Sequence, residues 1–329
     1  MEHQPPVLGE EEIRAALDMA SCIEACQAAF RAYSAGRAAT PAVIHLDVSE
    51  REGEVHIKAG YVYGARHFTL KVASSFPRNA ALGRPTSDGM LVVFDAETGA
   101  PAAVLLDHGF VTDLRTGAAG GVAARWLASR TVTTVAVIGT GAQVRYQLDA
   151  LALARPGFSR VRVWGRNPEH ALACVESLRG RPGLPPGCDY VVAASVREAV
   201  AGAEVVITCT ASHEPLLQAE WLAPGAHVTA VGADSPEKQE LAPDVLARAD
   251  LLAVDSREQC ARLGELHHAL AAGAVNASKA VELGEIVAGA KPGRTGPAQL
   301  TVCDLTGVGV QDAAAASLVV AKALGSGPS

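Results

Sequence analysis

The chain has 329 residues, 49% of them apolar and 4% aromatic, which suits two globular domains better than one core. Its net charge of −7 argues against nucleic acid or an anionic membrane as partner, because both require clustered Lys and Arg, whereas small anions remain open through local pockets. The acidic start, MEHQPPVLGEEEIRAAL, lacks the basic and apolar parts of a secretory signal, and no apolar run is long enough to span a bilayer, so a soluble, cytoplasmic protein is expected.

From Glu10 to Gly36, residues Ile13, Ala16, Leu17, Ile23, Ala29 and Phe30 recur at the spacing of one buried helical side, as one helix or a pair. Cys22 and Cys26 share that side. The seven cysteines, spread from Cys22 to Cys303, fit neither a disulfide framework nor a zinc spacing. The ten histidines contain no HExxH pattern, His267-His268 reads as a solvated helix face, and no metal site is expected.

From Val43 the pattern changes to strands at 43–48, 55–58, 68–72 and 91–95, with a further one at 101–106 after a hairpin-like turn at Glu97-Thr98-Gly99. A mainly antiparallel sheet with helices, an α+β domain, is expected there. Residues 111–115 then lead into an alanine-rich helix over 116–128.

The run from Thr131 to Leu151 is a buried strand, a glycine turn and a helix start. Val132, Val135, Val137 and Ile138 form the strand, Gly139-Thr140-Gly141 turns the backbone, and a helix beginning near Ala142 aims free N–H groups above the strand, the geometry of a pyrophosphate site. The motif reads GxGxxV, with Val144 in the third position, so context decides. A second strand, Val161 to Trp164, follows at βαβ spacing and ends in Gly165-Arg166-Asn167, where the ribose-reading residue falls. An acid there would accept from the ribose hydroxyls and repel a 2′-phosphate. Arg166 instead favours NADP(H), with NAD(H) left open if the guanidinium stacks on adenine.

Beyond this point helices and strands alternate. Asn167-Pro168 starts a helix that Gly180 stops, Ser195 to Glu198 is a capping box, and strands follow at 204–210, 227–233 and 251–255. A last strand at 300–303 leads into a helix over 311–324 and a loose GSGPS end. Such alternation gives an α/β class with a doubly wound parallel sheet.

Three residues stand out for chemistry. Asp234 follows a strand at the carboxyl edge where open α/β sheets bind ligands, and serves either as a proton-handling group or as a turn residue before Ser235-Pro236. Lys71, inside an apolar strand, is an edge lysine reaching for solvent or a buried amine of low pKa. Arg115 could fork onto a carboxylate ligand or pair with Asp113 or another acid.

The chain also resembles the ornithine cyclodeaminase/mu-crystallin family, through LKVASSFPRN (70–79), TDLRTGAAG (112–120), VIGTGAQ (137–143), VGADSPEKQEL (231–241) and LGEIVAGAKP (283–292). The resemblance implies a homodimer whose protomer has an α+β dimerisation and substrate-binding domain, residues 1–115 with 305–329, and a Rossmann-type dinucleotide domain, residues 116–304, with the active site in the cleft between them. It implies catalytic roles for Lys71, beside the reacting carbon, and Asp234. Arg115 would bind the α-carboxylate, Thr86 would lie near the nicotinamide, and Gly139, Thr140, Gly141, Ala142, Gln143, Arg166 and Asn167 would hold the cofactor.

Departures from the family pattern bear on substrate. Cyclodeaminases of the family carry an acid, in a sequence ending in MP, where this chain has Val55-His56-Ile57-Lys58-Ala59-Gly60, a stretch that repels a distal ammonium and suits a neutral or acidic side chain. His45 stands near the place of a missing carboxylate-binding arginine, and mu-crystallin-like ketimine reductases have serine where Asp234 stands. These features predict an NAD(P)-dependent imine reductase or amino acid dehydrogenase acting on a small amino, imino or keto acid, with His45, His56 and Lys58 also touching substrate. The alternatives are an ornithine or lysine cyclodeaminase with tightly held NAD, and a dinucleotide-fold binding protein without turnover.

Overall fold

The structure, a computed structural model, describes residues 4–325, so most of the GSGPS end lies outside the described residues. The fold is α/β with two sheets, and the chain divides into two compact units, Met1–Arg115 with Val308–Ser329, and Thr116–Gly307.

The first unit opens with β1 (Val7–Gly9), α1 (Glu10–Ala16) and α2 (Met19–Ser34). Asp18 separates the two helices by capping α2, its carboxylate accepting from the Ser21 N–H at 2.8 Å. Strands β2 (Ala38–Ala39), β3 (Ile44–Val48), β4 (Gly53–Val62), β5 (His67–Ser75), β6 (Ser87–Asp95) and β7 (Pro101–Leu106) follow. Their order is β1-β7-β6-β5-β4-β2, with β3 also on β4, and every pairing is antiparallel except β1 with β7. Alternation splits the sheet. One face, carrying Leu91, Val93, Ala103 and Leu105, is buried, while the other leaves Val7, Ile44, Leu46, Met90 and Leu106 exposed.

Helix α3 (Phe110–Leu127) begins earlier than the sequence pattern suggests. The Asp107 carboxylate accepts from the Val111 N–H at 2.8 Å and its carbonyl accepts from Phe110, so residues 111–115 form the first turns rather than a lead-in. Arg115 is thereby a helical residue.

The second unit alternates β8 (Thr134–Ile138), α4 (Gln143–Ala154), β9 (Arg160–Trp164), α5 (Pro168–Leu178), β10 (Asp189–Val192), α6 (Val196–Val200), β11 (Val205–Thr208) and β12 (His227–Ala230). It continues through α7 (Pro243–Arg248), β13 (Leu251–Val254), α8 (Arg257–Cys260), α9 (Gly264–Ala271), β14 (Ala280–Glu282), α10 (Leu283–Val287) and β15 (Thr301–Asp304). All eight strands are parallel in the order β10-β9-β8-β11-β12-β15-β13-β14. Burial on both faces explains their unbroken apolar runs. Val135 and Val137 join one core with Val144, Leu148 and Leu151 of α4, whereas Ala136 and Ile138 join another with Ala199 and Val200 of α6. The order reverses between β8 and β11, which opens a crevice at their carboxyl ends.

Helix α11 (Gly309–Ala323) returns to the first unit and packs on β4 and β5. Its approach depends on Gly60, where a Cβ would stand 2.2 Å from the Gly309 carbonyl oxygen. No helix among the described residues is long and apolar enough to cross a membrane.

Candidate active site

Two constellations in the structure carry the residues singled out above. In the first unit, strand register sets Lys58 of β4 opposite Lys71 of β5, both on the face that α11 covers. Lys71 is 2% exposed, so the solvent-seeking alternative is excluded. Its Nζ donates to Asp312 Oδ1 of α11 at 3.1 Å, and Arg115 Nε donates to the same oxygen at 2.8 Å. Asp312 Oδ2 is buried without a partner. Burial, then the neighbouring Arg115 charge, pull the Lys71 amine down to about 7, an effect that Asp312 opposes only in part. Burial alone would raise the Asp312 carboxyl, but Arg115, Lys71 and Lys58 hold it below its ordinary value. The Arg115 charge thus lowers both groups, adding to burial at Lys71 and opposing it at Asp312. A second buried acid, Asp107, is raised by burial to about 6.

Farther along the same face, His56 stands two residues before Lys58 and directly opposite His45 of β3. Thr86 is exposed in the bend just before β6, where its carbonyl accepts from the Phe76 N–H at 2.7 Å.

In the second unit a cavity of about 630 Å³ lies over the switch point, lined by Gly139, Thr140 and Gly141, by Trp164 to Asn167, by His170, and by the segment after β11 from Cys209 to Ser212 and Glu214 to Leu216. Gly139 has φ +134°, and a Cβ there would press on the Cys209 carbonyl, so the turn requires glycine. A Cβ at Gly141 would meet nothing within 4 Å. No side chain caps the first turn of α4, which starts at the Ala142 N-cap directly after this turn. A glycine cradle at the start of such a helix fits a dinucleotide pyrophosphate. No carboxylate ends β9: Arg166 is exposed at the cavity, while Asn167 also caps α5 by accepting from the Glu169 and His170 N–H groups.

Asp234 lies in the segment after β12 and pairs with Lys238 at 2.7 Å. That segment is tied down by Glu240, a buried residue that the sequence pattern does not distinguish from its charged neighbours. Its carboxylate accepts from Thr208 Oγ1 at 2.8 Å, the Thr210 N–H at 2.6 Å, Thr210 Oγ1 at 2.8 Å and the Gly232 N–H at 2.9 Å. Burial raises it to about 7 against these donors. Glu240 thus joins the ends of β11 and β12, which fixes the cavity wall at Thr210. His267 and His268 are half-buried rather than a solvated face, and His268 Nε2 lies 2.9 Å from the Lys238 carbonyl. All seven cysteines are free thiols.

Comparison with known proteins places the chain in a wider group. The ornithine cyclodeaminase/mu-crystallin family model matches residues 4–327. A putative dehydrogenase of Rhizobium meliloti is 43% identical, with 96% of this chain and 95% of that protein covered, and an uncharacterized cyclodeaminase of Sinorhizobium fredii is 42% identical at the same coverage. Among solved structures, the Thermococcus litoralis Δ1-pyrroline-2-carboxylate reductase with NADH and L-proline superposes with a TM-score of 0.90 at 29% identity, covering 98% of both chains. An archaeal alanine dehydrogenase dimer with NAD gives 0.89 at 32%, covering 98% and 97%. The iminosuccinate reductase of Paracoccus denitrificans with NAD⁺ gives 0.85 at 31%, covering 98% of each.

Proposed function

Since the chain belongs to the ornithine cyclodeaminase/mu-crystallin family, we propose that it is a nicotinamide-dependent imine reductase or amino acid dehydrogenase. The observation that carries this reading is the buried Lys71 amine, poised near neutrality by burial and Arg115 and hydrogen-bonded to Asp312. When bound, the nicotinamide supplies or accepts the hydride at the substrate α-carbon. Arg115 would hold the α-carboxylate, with its Nε anchored on Asp312 so that the guanidinium cannot swing. Lys71 would donate a hydrogen bond or a proton toward the imine nitrogen as charge develops there. Asp234 would steer the proton of the amine or water, its carboxylate oriented by Lys238, and Thr86 would border the nicotinamide.

The residues of the crevice support a reading of the cofactor. Gly139, Thr140 and Gly141 with the N–H groups of Ala142 and Gln143 would cradle the pyrophosphate, and Arg166, beside Asn167 and unopposed by an acid at the end of β9, would take a 2′-phosphate. We therefore favour NADP(H) over the NAD(H) that the compared structures carry.

The charge balance around Lys71 points to substrate class. Lys58, Lys71 and Arg115 outnumber the nearby acids, Asp312 and Asp107, with His56 and His45 farther along the same face as Lys58, which suits a second carboxylate on the substrate and disfavours a distal ammonium. A dicarboxylic imino or keto acid is the first choice. The opposite sheet face supplies an assembly surface, since Ile44, Ile57, Val72 and Met90 stand in register across four strands and Ile44 is 60% exposed. A second copy of the chain would cover this row and form a homodimer.

Reduced-cofactor oxidation with pyruvate, oxaloacetate and cyclic imines, each with ammonia or amines where needed, tests the reading. Turnover is expected with the dicarboxylic member favoured, and no turnover across the panel overturns it. A cyclodeaminase, the second reading, would instead release ammonia from ornithine or lysine with no net change in cofactor absorbance. The likeness to a relative named for that activity favours it, and Lys58 opposes it.

A further inference from the structure

The corner of the first sheet formed by β3 and β4 adds two carboxylates to the imidazoles of His45 and His56, and the chemistry above gives those carboxylates no role. Antiparallel register puts His45 directly opposite His56 and Asp47 directly opposite Glu54, so that two imidazoles and two carboxylates share one face within a square of neighbouring positions. The imidazoles meet edge to face with centroids 4.6 Å apart. Candidate ligand atoms of His45, Glu54 and His56 all lie within 4.8 Å of one another.

His56 Nε2 stands 3.4 Å from Glu54 Oε2. That separation matches the edge of a tetrahedron built on bonds of about 2.0–2.1 Å, so these two atoms already span a metal position without moving. Asp47 Oδ1 lies 2.8 Å from His45 Nε2, which orients that ring and leaves Nδ1 as its other ligand atom, in the manner of the outer carboxylates that fix metal-bound imidazoles. The side chains of His45, Glu54 and His56 are 40%, 30% and 17% exposed, so a hydrated cation reaches them from solvent and keeps a fourth position for water. The two carboxylates, Asp47 and Glu54, match the charge of a dication.

We propose that His45, Glu54 and His56 form a binding site for a borderline divalent transition cation such as Zn²⁺, with Asp47 as the orienting residue of His45. Imidazole nitrogen excludes Mg²⁺ and Ca²⁺ as preferred occupants. The proposal does not rest on the oxidoreductase reading, and it is measured without substrate or cofactor.

Calorimetric titration of metal-stripped, thiol-reduced protein with Zn²⁺ should give a saturable one-to-one step per chain. Substitution with Co²⁺ should produce the d–d bands of a tetrahedral nitrogen and oxygen site without thiolate charge transfer. His56→Gln and His45→Ala should each remove the step, and because His45 is an exposed residue its variant keeps the test decisive if His56→Gln folds poorly. Asp47→Asn should weaken binding by about tenfold. His108→Ala, which removes another exposed imidazole beside a carboxylate, Asp88, should change nothing. Absence of a saturable step, survival of the step in His45→Ala, or a thiolate charge-transfer band would overturn the proposal.

Discussion

In the second unit's parallel sheet both faces are covered, and the strands offer ligands little besides their ends; in the first unit's antiparallel sheet, a charged side chain rises from the middle of a strand. His227 and Thr229 of β12 and Thr301 of β15 satisfy one another inside the sheet. His227 hydrogen-bonds Thr301 and Thr229, each at 2.9 Å, and burial pushes its pKa down to about 3. In β5, by contrast, Lys71 is buried on a face whose covering helix carries its counter-charge. The difference teaches how labour is divided. A sheet covered on both sides binds through backbone N–H groups at its edge, which suits a cofactor common to many reactions, while a sheet covered by one movable choice of helix can present side chains that select the substrate.

The sharpest way to break that division is Lys71→Met. It should lower kcat by about 10²–10⁴-fold while leaving cofactor affinity unchanged, as measured by steady-state kinetics and cofactor titration. Loss of cofactor affinity instead would show that the two regions are not separable. Asp312→Asn leaves buried Lys71 and Arg115 without the carboxylate they share and should cost about 3–5 kcal/mol of unfolding free energy in denaturant titration.

The pH dependence follows from the same group. Lys71 titrates near 7, and its protonated form is the donor, so imine reduction should fall as pH rises through about 7 and amine oxidation should rise there. The apparent value belongs to the Lys71, Asp312 and Arg115 cluster, and Asp312→Asn should move the limb to lower pH because the opposing negative charge is gone. A pH profile unchanged in that variant would remove Lys71 from the proton transfer. On the other side of the comparison, Gly141→Val projects into open space and should raise the cofactor KM about tenfold, near 1.4 kcal/mol, with kcat and melting temperature preserved. The smallest effect expected is for Arg166→Gln, which should lower kcat/KM for NADPH several-fold relative to NADH. An unchanged ratio would return the cofactor choice to NAD(H).

Much of the architecture could be read from pattern. The apolar runs at 134–138, 160–164 and 205–208 and the Gly139 turn declare a parallel sheet, and the alternation near Lys71 declares a sheet covered on one side. The short strands β10 (DYVV) and β14 (AVE) carry too few apolar residues to stand out, and the start of α3 was hidden because its cap, Asp107, lies outside the helical repeat. Asp312 was the larger omission. In GVQDAAAA it looks like an acid favourable to a helix N-terminus, and its partners are distant in sequence. One signal was available, because a helix apolar all round must be buried, and a charge within it must find an opposite charge. Glu240 offered no such signal, since SPEKQEL is as polar as any exposed turn.

Helix α11 follows the whole second unit in the chain, yet it completes the first. During synthesis, therefore, β4 and β5 emerge with Lys58 and Lys71 long before Asp312 exists, and burying those amines then would leave uncompensated charge in a forming core. Residues 116–307 are contiguous and meet no such delay. The order in which the ribosome delivers the chain thus favours residues 116–307 as the early folding body, with the first sheet closing only when its carboxylate arrives.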